Sequence, residues 1–432
     1  MTDIYEIAEY TLEALKKSGA DAAQCIVSKS KKDELNVDGG KFSLMRSTFN
    51  TSISMKAIKD GKKGVTSINQ ATKEAIDEAA DQCISAAQSS VPDEAEQIAP
   101  FTAKAEYKTG VFEPELDKLF DRIEEFMSQT AAEYPKVILE QLISDYEHSE
   151  KLYMNTNGTS LKYEHGEYSF NTMFSAHEGE KASSFNGYFC ALDSLDKPFM
   201  DAGMQRQLLD ESEKQLDTVS PSEKFVGRVI YSPDCFNELL QTALENFASS
   251  GVLIDGTSPW KDALNTKVAS EKLNLRSVPL DGRTVVGQRF TSDGYPVEDM
   301  DIIIDGVLKT FILSQYGANK TGFPRSLNSG NNLEVPPGDK ALEEMISGID
   351  RGLIVNRFSG GQPSSNGDFS GVAKNSFLIE NGKVVSAVSE TMISGNIIDM
   401  LNNIVAVSKE QTTDGLSFMP WAEFDGVTVS GK

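Results

Sequence analysis

The chain has 432 residues, with 65 acidic and 41 basic side chains for a formal charge of −24; 39% of residues are apolar and 25% charged. At roughly 100–200 residues per domain this implies two or three domains of globular composition, not a disordered, collagen-like or coiled-coil chain. The negative field disfavours direct binding of nucleic acid or anionic lipid, and no apolar run reaches the roughly 18–20 residues of a membrane span.

In chain order, Asp3 and Glu6 form a capping box ahead of Ile4, Ile7, Ala8, Leu12 and Leu15 at helical spacing, so a helix is predicted as far as Gly19. Ile53, Met55 and Ala57 alternate with polar neighbours, a half-buried strand that Asp60-Gly61 returns as a hairpin. A second helix carries Ala75, Ile76, Ala79, Ala80, Cys83, Ile84 and Ala87 on one stripe. Residues 1–90 therefore read as an α+β unit. Residues 89–112, with Pro92 and Pro100, read as a polar connector.

A second α+β unit is predicted over 113–219. Its helix starts at Pro114, with Leu116, Leu119, Phe120, Ile123, Phe126 and Met127 as the stripe. Strands follow over 137–143, 151–154, 168–176 and 183–192, with a turn at Asn157-Gly158, and a helix over about 199–216 closes the unit. Ser220-Pro221-Ser222-Glu223-Lys224 marks the boundary to a mostly antiparallel β domain over 224–432. There Ser232-Pro233 caps a helix over 232–247, Asp305-Gly306 and Asn381-Gly382 carry type I′ hairpin chemistry, and a short helix is predicted over 396–405. The fold class is α+β.

The three histidines, His148, His165 and His177, all precede residue 178, so a histidine-based site cannot arise in the C-terminal domain alone. Glu164-His165-Gly166-Glu167 and His177-Glu178-Gly179-Glu180 form the one zinc-like cluster, or else polar strand ends and a turn. Gly282-Arg283-Thr284-Val285-Val286-Gly287 has P-loop glycine spacing, but Gln288 and Arg289 replace the lysine and hydroxyl that hold phosphate and Mg²⁺, which leaves a turn between strands. Ser28-Lys29-Ser30-Lys31 satisfies SxxK on a strand edge, and no GxSxG elbow occurs. Cys25, Cys83, Cys190 and Cys235 make no CxxC pair, as expected of reduced thiols in a cytoplasm. Cys235, in the first turn of its helix, is either a packed thiol or a nucleophile with a lowered pKa. The start, Met1 to Glu6, lacks the basic and apolar segments of a secretory leader. Residues 359–371 are glycine-rich with one aromatic, either a binding loop or a flexible connector.

Asn366-Gly367-Asp368-Phe369-Ser370, Phe377-Leu378-Ile379-Glu380-Asn381-Gly382 and Glu390-Thr391-Met392-Ile393-Ser394-Gly395-Asn396 resemble the TldD/PmbA family. So do Phe290-Thr291-Ser292-Asp293-Gly294 and the Asp305-Gly306 hairpin followed by Tyr316-Gly317-Ala318. The resemblance implies a cytoplasmic peptidase of two related subunits, one holding zinc through His-Glu-x-x-x-His and a late cysteine, the other, the PmbA or TldE type, lacking those ligands. Aligned through Ser232-Pro233, the motif falls on Gln241, Thr242 and Asn246, and no cysteine follows Cys235. This chain is then similar to the zinc-free subunit. It is expected to bind no metal and to bear no catalytic residue, and to shape a cleft for extended peptide beside a TldD-type zinc subunit or a second copy of itself. Asp368, Phe369 and Ser370 are the expected cleft residues. Family members carry the label modulator of DNA gyrase, yet the charge argues against nucleic-acid binding. The alternatives are a non-enzymatic homodimer that binds peptide or protein, and an independent hydrolase using Cys235 or the His165/His177 cluster.

Overall fold

The structure, a computed structural model, describes residues 3–221, 223–361, 363–389 and 391–431. Ser222, Gln362 and Glu390, which belong to the predicted boundary, the glycine-rich segment and a family-like motif, lie outside the described residues, as do Met1, Thr2 and Lys432.

Helix α1 (Ile4–Lys17) begins where the Asp3 carboxylate accepts a hydrogen bond from the Glu6 amide at 3.0 Å, and it ends at Lys16 and Lys17, which suit the negative end of the helix dipole. With α2 (Lys73–Ser89) it covers one face of β1 (Ala22–Asp38), β2 (Lys41–Lys59) and β3 (Lys62–Ile68), burying Ile7, Leu15, Val27, Ile53, Ile76 and Cys83 between the layers. The expected connector contains a further strand, β4 (Lys104–Gly110). Ala105, Tyr107 and Thr109 alternate there with exposed Lys104, Glu106 and Lys108, a strand pattern that the nearby prolines obscured.

After α3 (Leu116–Glu133), the strands predicted over 137–143 and 151–154 form one strand, β5 (Val137–Asn155). Its polar middle stays extended because β1 pairs along one side and β6 (Ser160–Glu178) along the other. β7 (Lys181–Ala182) and β8 (Asn186–Leu192) also pair with β6, giving the order β3-β2-β1-β5-β6-β4 with β7 and β8 attached to β6. The two predicted N-terminal units thus share one sheet through the β1–β5 pairing. The helix expected over 199–216 is interrupted. Gly203 sits at φ +44°, where a Cβ would overlap the Tyr188 hydroxyl, so a 3-10 turn (Phe199–Asp201) precedes α4 (Gln205–Lys214).

The C-terminal half is built mostly from short strands around two longer ones that come last in it. After β9 (Thr218–Val219) come β10 (Phe225–Tyr231), α5 (Pro233–Ala248), α6 (Ser250–Ile254), β11 (Leu275–Ser277), β12 (Met300–Ile304), β13 (Val307–Leu308) and α7 (Gln315–Thr321). Then follow β14 (Leu333–Glu334), α8 (Leu342–Ser347), β15 (Arg351–Val355), β16 (Arg357–Gly360), β17 (Asp368–Lys374), β18 (Ser376–Glu380) and β19 (Lys383–Val388). β20 (Met392–Asn396), α9 (Ile397–Asn402), β21 (Ile404–Thr413) and β22 (Phe418–Ser430) complete the chain; α9 stops at 402 because β21 already pairs with β22 from Ile404. The strands form one sheet ordered β13-β12-β11-β14-β22-β10-β15-β18-β19-β9, with β16, β17, β20 and β21 beside it. Asp60-Gly61, Asp305-Gly306 and Asn381-Gly382 all have φ between +48° and +73°, as a type I′ turn requires.

Residues 359–371 are not one long loop. β16 and β17 pair from Arg357↔Lys374 to Gly360↔Gly371, which leaves only 361–367 as the connection. Gly360 and Gly371 read as loop residues, but they serve close packing: a Cβ on either would overlap the Phe358 ring.

Two apolar clusters fix the halves. One surrounds α5, with Phe236, Leu240, Phe247, Phe424 and Leu353 buried. The other joins the two sheets, packing Leu119, Phe126, Phe170 and Phe199 with Ile230, Phe377, Ile379 and Trp421. The second cluster ties the N-terminal sheet to the strands on which α5 packs.

Candidate functional site

α5 starts at Ser232, whose hydroxyl accepts from the Cys235 amide, with Pro233 at the first helical position. One side of the helix is apolar and buried. The other carries Asp234, Glu238 and Thr242 at intervals of four, a polar stripe on a single face. Two cavities open on this stripe and meet at Cys235 and Glu238, which line both.

The smaller cavity, about 260 Å³, lies between α5 and the β16–β17 hairpin, with Thr242, Phe358, Phe369 and Ile397 in its wall. The larger, about 650 Å³, lies between α5 and β8. Asp234, Glu238 and Asp414 form its acidic side, Met173, Phe185, Tyr188 and Phe189 its apolar side, and Asn356 and Arg357 its end. β8 pairs with β6 on one side only. On the other side the Ala191 amide donates to the Asp414 carbonyl at 2.8 Å, and the two-residue repeat turns the N–H and C=O of Phe189 the same way. The Tyr188 hydroxyl donates to the Thr413 carbonyl at 3.0 Å and pins this edge to the C-terminal half.

The electrostatics follow from the enclosure. Asp234 opens onto the cleft, yet desolvation by the cavity walls, with Asp414 and Glu238 nearby, pushes its carboxyl up to about 6. Desolvation also raises Glu238, against the pull of the Arg357 guanidinium. Glu211, on α4, is pushed up to about 7 by burial and accepts a hydrogen bond from Asn356 Nδ2 at 2.6 Å. The Cys235 thiol is 4% exposed, and burial together with Glu238 and Asp234 raises it far above its ordinary value. Burial first, and the Glu238 and Asp234 carboxylates second, oppose the thiolate, which favours a packed thiol over a nucleophile at Cys235.

The His165/His177 cluster fails too. Both residues lie on β6, twelve apart, so about 3.3 Å per residue separates them by about 40 Å and no ion can bridge them. His165 is buried, with Nδ1 2.8 Å from Thr109 Oγ1 and Nε2 3.1 Å from Glu167, while His177 Nε2 lies 2.9 Å from Ser175 Oγ. His148 Nε2 is 3.0 Å from Glu164.

Of the residues aligned with the zinc motif, Thr242 is in the cavity wall, half-exposed. Gln241 is exposed and Asn246 half-exposed, and neither lines the two cavities. The donor set does not fit zinc: amides and a hydroxyl replace imidazoles and a carboxylate, and among the described residues no three His, Cys, Asp or Glu side chains gather closely enough to hold a metal ion. Phe369 is buried in the smaller cavity with its ring 5.7 Å from that of Phe358. Asp368 and Ser370, one residue to either side on the strand, are exposed on the opposite face. Asp368 accepts from Asn396 Nδ2 and Asn366 Nδ2, each at 2.9 Å, and these bonds hold its carboxyl below the usual range. Sequence reasoning missed Asp234, Glu238, Asn356 and Phe189. Only the four-residue spacing of Asp234, Glu238 and Thr242 along one face of the helix signalled the first two.

Models described as the PmbA/TldA metallopeptidase C-terminal domain and PmbA/TldA metallopeptidase domain 1 match residues 224–431 and 23–87, together more than half of the chain. Metalloprotease PmbA of Escherichia coli O157:H7 is 32% identical over 155 residues, 35% of this chain and 34% of that protein. The zinc metalloprotease TldD homolog of Saccharolobus solfataricus is 28% identical over 195 residues, 42% of this chain and 44% of that protein. The matched stretches thus span well under two thirds of these relatives. The crystal structure of TldE from Thermococcus kodakarensis superimposes with a TM-score of 0.84 at 22% identity, over 98% of this chain and 100% of that one. A candidate modulator of DNA gyrase from Bacteroides thetaiotaomicron does so with a TM-score of 0.82 at 23% identity, over the full length of both. The fold is the one those two structures share, and on the domain matches the chain belongs to the PmbA/TldD metallopeptidase family.

Proposed function

We propose that this chain is the zinc-free subunit of a peptidase of that family, shaping the cleft in which peptide reaches a zinc held by a partner chain. The observation that carries the reading is α5: at the place where the family's metal helix is expected, it presents Gln241, Thr242 and Asn246. Two amides and a hydroxyl cannot bind zinc as two imidazoles do, nor serve as its carboxylate base. The cavities beside α5 supply what a non-catalytic wall needs: apolar surface at Phe369 and Phe189, and a strand edge at β8 to which an extended peptide can add. The units over 1–90 and 113–219 act as one wall, because they share a sheet, and 224–432 forms the other. Four buried, unbridged thiols suit a reducing cytoplasm, and among the described residues no helix is long and apolar enough to cross a membrane.

The test is co-purification from the native source, followed by metal analysis of the separated chains. The expected result is a partner bearing His-Glu-x-x-x-His that retains zinc, with none retained stoichiometrically by this chain. Recovery of this chain alone with about one tightly bound zinc, or peptide hydrolysis by it without a partner, would overturn the reading.

A further inference from the structure

The larger cavity has an imbalance that the fold does not resolve. The carboxylates of Asp234 and Glu238 make no hydrogen bond and no ion pair with any described residue, Arg357 acting on Glu238 only from a distance, and Asp414 commits one oxygen to the Leu416 and Ser417 amides at 2.8 and 2.7 Å. The one cation in the described lining, Arg357, donates its Nη1 to the Phe185 carbonyl at 2.9 Å. A separate observation points to a ligand. Asn356 lines the same cavity and is 8% exposed; its Nδ2 is held by Glu211, and its Oδ1 is buried without a partner. A buried acceptor left unpaired costs free energy until a donor reaches it. Across the cavity, Phe185, just before β8, and Phe189, on it, are 54% and 42% exposed and give the site an apolar wall.

We propose that this cavity selects extended peptides carrying a lysine or arginine side chain, whose cationic head sits between Asp234 and Glu238 while a donor of the same peptide bonds Asn356 Oδ1 and an adjacent apolar residue packs on Phe185 and Phe189. The inference rests on the peptide-cleft reading above and names the substrate class for it. A cation supplies the charge that the two carboxylates lack. The aromatic wall favours an apolar neighbour, and the outward edge of Phe189 on β8 favours extended backbone. An acidic peptide would place like charges together in a desolvated site.

The test uses the full chain and three fluorescein-labelled octapeptides, alike except for a central Lys, Gln or Glu between leucines, followed by fluorescence anisotropy. The Lys peptide is expected to bind at least about tenfold more tightly than the Glu peptide, with Gln between them, and raising NaCl from about 50 to about 500 mM should compress that ratio. The double variant D234N/E238Q, with its thermal midpoint checked, should bring the Lys peptide down to the Gln value. N356A should weaken all three by a similar factor. Lys and Glu peptides that bind within about twofold of each other, or a Lys preference that survives both salt and D234N/E238Q, would overturn the charge selection while leaving the peptide cleft standing. Failure of all three to bind would overturn the inference, while the assembly with a zinc-bearing partner is decided separately by co-purification.

Discussion

The middle of the N-terminal sheet and the cleft at α5 are both dense in titratable side chains, and they follow opposite rules. Across β1, β5 and β6, charges meet partners: Lys32 lies 3.3 Å from Asp145 and 3.0 Å from Glu147, Lys162 is 2.7 Å from Glu150, and His148 is 3.0 Å from Glu164. At α5, Asp234 and Glu238 have no such partner, and enclosure raises both carboxyls. A run of ionisable residues does not by itself mark a site. Lateral strand pairing neutralises one cluster, and a cavity wall strands the other.

Four experiments bear on that contrast, the largest expected effect first. Phe247, in the last turn of α5, is fully buried, its ring 5.1 Å from that of Trp260 and against Gly367 of the hairpin connection. Phe247→Ala should cost about 3–5 kcal/mol in urea unfolding and loosen the cleft wall before it disturbs the N-terminal sheet. Amide exchange showing equal loosening of both regions would erase the distinction between them.

Glu211 tests the effect of burial on a carboxyl near the cleft. Its carboxyl titrates at about 7 in the folded chain against an ordinary value of 4.5, so the folded state keeps a proton that the unfolded chain loses. Its contribution to stability therefore declines as pH rises from about 4.5 to 7 and stays low above that. Glu211→Gln should remove that decline, about 3 kcal/mol, so that the variant gains on wild type by pH 8. Parallel stability curves for the two proteins would mean that the carboxyl is not held neutral.

The connection between β16 and β17 sharpens the comparison at the level of function. Deleting residues 363–366 removes part of the smaller cavity's wall and should raise KM for peptide by about tenfold or more in the assembly with the zinc-bearing partner, about 1.4 kcal/mol. An unchanged KM would place the peptide elsewhere. The smallest effect belongs to the paired cluster. His148→Gln breaks a half-exposed pair and should change stability by no more than about 1 kcal/mol, leaving activity of the assembly intact. A folded, assembled, inactive His148→Gln would mean that a paired group does chemistry after all.

Much of this protein is settled by local chemistry and is legible without a structure. The caps at Asp3 and Ser232, the type I′ turns and the apolar stripes of α1, α2, α3 and α5 depend on residues within one or two turns of each other, so periodicity and capping reveal them. The amides at Gln241 and Asn246 are equally local facts about what α5 can ligate. Other features depended on partners distant in sequence. The polar middle of β5 is a strand because β1 and β6 flank it, and Gly360 and Gly371 are strand residues because the Phe358 ring needs their space. Asp234, Asn356 and Phe189 become a site only where α5, the end of β15 and the edge of β8 converge. No pattern within a single element encodes that convergence, since burial and the loss of a charge partner are set by the other walls of the cavity.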